Sequence, residues 1–219
     1  MVSDGSWSFN DNKCEGEIFM KYVERADIYV QHIDGTLYSP DDWESGDFAN
    51  EDANGVAVVR PISGSFVIAK EAATYGFGWG GYDTTITDIV TAESFSTAVL
   101  DNDGAGNTLK IIEQLSGITD SHAVTGAPAA EYCVGYTFPN GKTGYLGALG
   151  EWEAVFDNLA KIQNILNNYI GGSGLTASYY WTSTQGSSND SWMIYTGNGS
   201  CSTASKSNVR AVRAFCPLS

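Results

Sequence analysis

From Tyr179 to Phe215 the chain reads YYWTSTQGSSNDSWMIYTGNGSCSTASKSNVRAVRAF, and this stretch constrains the fold more than any other. Large residues recur through it: Trp181, Trp192, Tyr195, Val209, Val212 and Phe215. Between them stand runs such as GSSND and SCSTAS, small and polar enough for any linker. A linker has no use for spaced tryptophans. Apolar burial is worth roughly 25 cal/mol per Å² and needs no directed partner, so these residues are expected to bury and hold the backbone between them. Exposed positions typically change stability by no more than about 0.5 kcal/mol on substitution. The pattern predicts fixed pegs and a replaceable surface.

Upstream the signals are conventional. Asp27 to Val30 and Thr36 to Tyr38 flank Asp34-Gly35, a hairpin signal. Ser39 to Asn54 is acidic and reads as surface loop, while Gly55 to Val59 and Ser65 to Ala69 read as two buried strands. Ala72 to Tyr82, glycine-aromatic, is expected as a packed loop. Asn107 is placed to cap a helix over TLKIIEQL that Gly117 stops. Trp152, Val155, Phe156, Leu159, Ile162, Leu166, Tyr169 and Ile170 fall at helical spacing, which predicts one helix from about Leu149 to Gly171 with its core face apolar. Short strands are expected at Tyr179 to Thr182, Ser191 to Tyr195 and, by alternation, Val209 to Phe215. Strands, then helices, then strands describe an α+β domain. Residues 1–25 read as an N-terminal arm and 26–219 as the domain.

Composition narrows the partners. With 42% hydrophobic and 12% aromatic residues among 219, a sizeable core is within reach. Eleven basic against 26 acidic residues give a formal charge of -15, which argues against nucleic acid and anionic membrane surfaces. From Ile170 onward Asp190 is the one acid, so a site in this near-neutral tail is expected to work by contact. No run of about 18 apolar residues and no export signal is present, so membrane insertion is not expected.

Catalytic patterns are scarce. His32 and His122 lie near no nucleophile motif. Asp101, Asp103 and Asn107 suggest a calcium loop, but position 112 is Ile where a bidentate Glu is needed; a helix-entry turn explains them better. Glu151 and Glu153 suit the positive end of a helix. Cys14, Cys133, Cys201 and Cys216 lack zinc spacing, and no cofactor is expected. Cys201 and Cys216 are open to two readings: a redox pair tuned by Lys206 and Arg210, or a solvent-facing thiol and a thiol in a fraying tail.

YYWTSTQGSSNDSW followed by NVRAVRAF closely resembles the C-terminal half of C-type-lectin-like domains from gut Bacteroides and their phages. The resemblance extends through GYLGALGEWEAVFDNLAKIQNIL, with Gly147 where the family carries Pro, and through NTLKIIEQL and Ala130 to Cys133. It also takes in DIYVQHIDGTLYSPDDW, NGVAVV, SFVIAKEAA and GFGWGG, so it covers residues 26–219. The resemblance implies a C-type-lectin-like fold, two helices packed on small antiparallel sheets with long loops. A subset of that family consists of variable proteins of diversity-generating retroelements, in which adenine-directed mutagenesis of Asn codons diversifies a ligand-binding face.

That implication carries residues with it. Adenine changes in AAC or AAT reach Ser, Cys, Thr, Ala, Gly, Asp and Tyr, but never Trp, Gln, Lys, Glu or Met. Gly186, Ser187, Ser188, Asn189, Asp190, Ser200, Cys201, Ser202, Thr203, Ala204, Ser205, Ser207 and Asn208 are all reachable or unaltered, within a variable region of about 179–215. Met193 is unreachable from Asn and stands either as scaffold or as the product of a Lys codon. Trp181, Gln185, Trp192 and Lys206 are unreachable and are expected as fixed scaffold. The implied function is an adhesin or receptor-binding protein, no enzyme, displayed on a virion (phage tail) or cell surface. Its expected partner is a surface ligand, protein before glycan, with homo-oligomers formed through the arm. The Glu-Pro-Asn, Gln-Pro-Asp and Trp-Asn-Asp calcium-sugar motifs are absent, which predicts calcium-independent recognition. Two other classes stand beside it: an oxidase similar to formylglycine-generating enzymes, and a static virion or pilus component.

Overall fold

The computed structural model describes residues 6–9, 20–23 and 25–218, with side chains from residue 25 onward. Of the expected arm, strand β1 (Ser6–Phe9) pairs antiparallel with β2 (Met20–Val23); the remainder of that expectation, Cys14 included, lies outside the described residues. The hairpin forms as β3 (Asp27–His32) and β4 (Leu37–Tyr38). Its turn is set by Asp34, whose Oδ1 accepts from Thr36 N at 2.8 Å, and by Gly35 at φ 94°. The acidic segment after it is not loop alone. Ser39 accepts from Asp42 N, Pro40 opens the first turn, and Asp41 and Asp42 face the positive end, so helix α1 (Pro40–Ser45) forms. Buried Trp43 holds it down by donating to Tyr169 O at 3.1 Å. A single 3-10 turn (Asn50–Asp52) then leads into β5 (Ala53–Val59) and β6 (Phe66–Ile68). The glycine-aromatic loop contributes the short strand β7 (Phe77–Gly78).

After the one-turn helix α2 (Phe95–Ala98), α3 (Gly104–Leu115) begins earlier than Asn107 would allow as a cap. Asp103 is the N-cap, and Asn107 sits buried inside the helix, donating to Asp101 Oδ2 at 2.8 Å. The acid upstream outcompetes Asn because it reaches the free N–H of Gly106 at 3.0 Å. Helix α4 (Pro128–Gly135) and strand β8 (Tyr145–Leu146) follow. The long helix expected from Leu149 is two: α5 (Leu149–Asp157) and α6 (Leu159–Asn168). Asn158 breaks it, its side chain bonding back to Ala154 O at 2.9 Å while its backbone leaves helical values.

The C-terminal part holds β9 (Tyr179–Gln185), β10 (Asp190–Tyr195), β11 (Ser200–Ser205), β12 (Val209–Arg210) and β13 (Ala214–Pro217). Strand β11 was invisible in the sequence; SCSTAS has no apolar alternation, and its pairing to β10 from Asp190–Ser205 to Tyr195–Ser200 creates it. Val209 to Phe215, expected as one strand, is two. Its first part pairs with β7 and its last part enters another sheet, because buried Arg213 turns inward to the carbonyls of Ala69, Ser173 and Gly174. Val209, expected as a buried peg, is 62% exposed on this rim.

Strands β4-β3-β5-β6-β13-β8 form a six-stranded sheet, β11-β10-β9 a three-stranded one, and β12-β7 a two-stranded one. The protein is α+β with antiparallel sheets. Trp152, Tyr180, Trp192, Ile194 and Phe215 enter one apolar core; Trp79, Trp181, Met193 and Val212 enter a second. The Trp152 ring lies 5.0 Å from both Tyr180 and Phe215, joining α5 to strands of both larger sheets.

The acids at the start of α5 are buried, which helix-end electrostatics alone does not require. Glu151 Oε2 accepts from Ala148 N at 2.7 Å and Oε1 from Tyr145 Oη at 2.7 Å. Burial raises its carboxyl from 4.5 to about 7, against the opposing pull of those two donors. The folded protein thus keeps a proton that the unfolded chain releases above pH 4.5. Its contribution to stability is full at low pH and falls as pH rises through about 7. Glu151→Gln, which keeps the shape, is expected to flatten that part of the slope; urea midpoints of both proteins across pH 4 to 8 measure the difference.

Candidate ligand-binding face

Side-chain alternation divides the three-stranded sheet into two faces. Trp192 and Ile194 point to one core, and their cross-strand partners are Thr203 and Cys201. Met193 points to the other core and is opposite Ser202. Since β11 is the edge strand, its small side chains emerge on both sides beyond the anchors.

The residues nominated from the sequence fall accordingly. Ser200, Ser202 and Thr203 are exposed; Ser187, Ser188, Asn189, Asp190, Cys201, Ala204, Ser205, Ser207 and Asn208 are half-buried. Gly186 and Met193 are buried, so neither side chain position faces solvent, and Met193 belongs to the second core. The Gly186-to-Asp190 turn and Thr203 come together around an open recess of about 440 Å³. Its far wall is Thr85, Thr91, Ala92 and Glu93, from a loop that sequence reasoning did not nominate. No local pattern marks that loop; its place is set by Trp192 Nε1 donating to Ala92 O at 2.7 Å and Ala92 N donating to Gln185 O at 2.8 Å.

Not every nominated side chain is idle. Ser187 Oγ accepts from Asn189 N at 3.1 Å and Asp190 N at 3.0 Å, and so shapes the turn. Asn189 reaches Tyr82 Oη at 3.4 Å, and Ser205 and Ser207 share a bond of 2.8 Å. For the Ser202 and Thr203 side chains no hydrogen bond is formed among the described residues.

Beneath this surface lie the residues expected as scaffold. Lys206 is fully buried. Its Nζ donates to Thr84 O at 2.7 Å and Gln185 Oε1 at 2.9 Å, and stands 4.6 Å from the Trp79 ring centre. Gln185 also accepts from Ile86 N and donates to Ile86 O and Thr91 Oγ1. Burial lowers the Lys206 ammonium from 10.5 to about 7, and the field of Asp190 opposes the shift. Asp101, also buried, accepts from Thr184 Oγ1 at 2.7 Å and from Asn107, pinning β9 to α3. Asp101 and Asp103 thus serve the entry to α3.

The cysteines separate. Cys201 is half-buried and donates to Glu153 Oε1 at 3.0 Å. Cys216 is no tail residue: it is fully buried in β13, paired with Val67, and burial raises its thiol to about 12. Cys133 is buried too and its thiol is raised for the same reason. Among the described residues, no group of three or more His, Cys, Asp or Glu is placed to hold a metal ion, and no helix is long and apolar enough to cross a membrane.

These features define an α+β protein that carries a polar, open recess on a sheet edge braced from below. Its fold is similar to that of a fimbrial protein from Bacteroides ovatus ATCC 8483, with a TM-score of 0.58 and 14% identity over 88% of this chain. The match takes in 48% of that protein, so the chain spans about half its length. At this identity the likeness is one of fold. No family model matches the chain, and no curated protein does.

Scaffold and surface are expected to respond differently to substitution. Lys206→Met removes both donated bonds and leaves buried oxygens short of a donor, so a loss of about 1–3 kcal/mol is expected. Ser202→Ala and Thr203→Ala are expected to stay within about 0.5 kcal/mol. Urea unfolding of the three variants measures the contrast.

Proposed function

We propose that this chain is a ligand-binding surface protein: a C-type-lectin-like scaffold of the retroelement-diversified kind, whose residues 186–190 and 200–208 contact a target on a cell or virion. One observation carries the reading. Small polar side chains surround an open recess, while the strand ends beneath them are fixed by Gln185, Trp192 and Lys206. Such a surface supplies adaptable hydrogen bonds at little cost to stability, as antibody loops do. Recognition is calcium-independent, and several copies joined through the N-terminal arm gain avidity.

The fimbrial neighbour supports surface display and also favours a second reading, a static structural component of a surface filament. Isolates of the gene separate the two: differences concentrated at the nominated positions mark a diversified binder, and their spread over the whole surface marks a static one. Support for leaving catalysis out comes from the cysteines, since Cys216 is sealed in a strand and Cys201 rests on Glu153.

Replacing Ser188, Asp190, Ser202, Thr203 and Ala204 together, with Ser187 kept for its turn, is expected to change ligand choice. The thermal midpoint is expected to move by a few degrees at most. Binding to whole cells, measured with and without a calcium chelator, checks both parts; loss of binding in chelator contradicts calcium independence.

A further inference from the structure

A second recess, of about 350 Å³, contains none of the nominated positions. Its walls come from the Ala73-to-Gly76 segment, Ser178-Tyr179 and the Val209-to-Ala211 strand. Three apolar or aromatic side chains stand open there: Tyr75 is 78% exposed, Val209 62% and Tyr179 40%. Tyr179 is held rigid by Tyr195, ring centre to ring centre 4.8 Å, and by the Arg210 guanidinium 5.6 Å above it.

Arg210 is poorly satisfied for a half-buried cation. Nε donates to the Met193 thioether at 3.4 Å, a weak acceptor, and Nη1 to Val209 O at 3.0 Å. Among the described residues Nη2 meets no acceptor and no carboxylate lies within ion-pair distance of the group. The recess is lined by no acid at all, on a chain whose formal charge is -15. A lone cation with open donors, in an acid-free hollow of an acidic protein, selects an anion, and a guanidinium selects a carboxylate through paired N–H donors. The open Tyr75 ring and the part of Tyr179 left uncovered by Tyr195 and Arg210 offer apolar area beside polar edges. The Thr74 and Ser178 hydroxyls make no hydrogen bond among the described residues, so they are open to a polyol. An apolar face, a carboxylate and hydroxyls are found together in an acidic sugar.

We propose that this recess binds an acidic sugar, its ring laid against Tyr75 and Tyr179 and its carboxylate held by Arg210. None of the nominated positions lines this recess, so its test does not rest on their diversification.

The test is amide-shift titration of the full chain with the methyl glycosides of glucuronate, galacturonate and N-acetylneuraminate. Methyl glucoside and benzoate serve as controls. At least one acidic sugar is expected to move the Gly76 and Ala211 signals, with binding weakened about tenfold by Arg210→Gln, because the carboxylate loses its charged partner. Tyr75→Ala is expected to weaken it as well, and Ser188→Ala and Thr203→Ala, in the other recess, to leave it unchanged. Both Arg210 and Tyr75 are rim residues, and unchanged spectra elsewhere report that the variants fold. Silence from all three acidic sugars overturns the proposal. So do equal binding of the neutral glycoside, equal binding of benzoate, insensitivity to Arg210→Gln, or loss of binding in Thr203→Ala.

Discussion

A buried ammonium organises the edge of this protein. Lys206 has three donors, and three electron-rich partners surround it: a backbone carbonyl, an amide oxygen and an indole face. Its own backbone is occupied too, since N donates to Asn189 O while O accepts from Trp79 N and Gly80 N. One residue therefore ties the GFGWGG segment, the 186–190 turn, the Thr84 loop and the end of β11 to the end of β9. Burying such a group without an ion-pair partner is costly, which is why its ammonium is driven down towards neutrality. The arrangement is rational only if the geometry it specifies matters more than the stability it forfeits. The directed bonds of Lys206 run to the segments that carry the recess walls, the 186–190 turn and the Thr84 loop.

The two cores explain how the edge tolerates blandness. Strand β11 adds almost no apolar surface of its own, and its place is given by main-chain pairing to β10, whose Trp192, Met193 and Ile194 are buried on both sides. Trp192 serves twice, filling the core with its ring and fixing the recess loop with its N–H. A strand of Ser, Cys, Thr and Ala is thus positioned by its neighbour's side chains. Backbone hydrogen bonds do not depend on side-chain identity, so such a strand is the part of a sheet most open to substitution.

What was legible in the sequence follows the same division. The anchors Trp181, Trp192, Val212 and Phe215 were visible because large apolar groups have one economical place, and the hairpin at Asp34-Gly35 because turn chemistry is local. Strand β11 was not, since its cause lies in pairing with a distant segment. Nor was the break at Asn158, where a side-chain bond to Ala154 overrides a continuous apolar stripe. Capping of α3 went to Asp103 through a difference of four residues that the pattern around Asn107 did not resolve. At the site, the nominated turn and Thr203 do line one recess, but the loop facing them, Thr85 to Glu93, carries no signal of its own. Its position is set by hydrogen bonds to Gln185 and Trp192, residues about a hundred positions away.

The near-neutral tail acquires a structural meaning from this. Of the C-terminal cations, Lys206 and Arg213 are buried and spent on carbonyls and an amide, leaving Arg210 at the surface with donors to spare. The acids show the complementary placement: in the tail, Asp190 alone approaches the edge, and it rims one recess while the other has none. A chain of formal charge -15 thus presents two hollows of different character, one beside the β11 edge and one where β12 meets the start of β9. One is lined largely by small polar groups, Ser187, Ser188 and Thr203 among them. The other holds Tyr75, Tyr179 and Arg210; Tyr179 packs on Tyr195, and Arg210 bonds to Met193 of the second core.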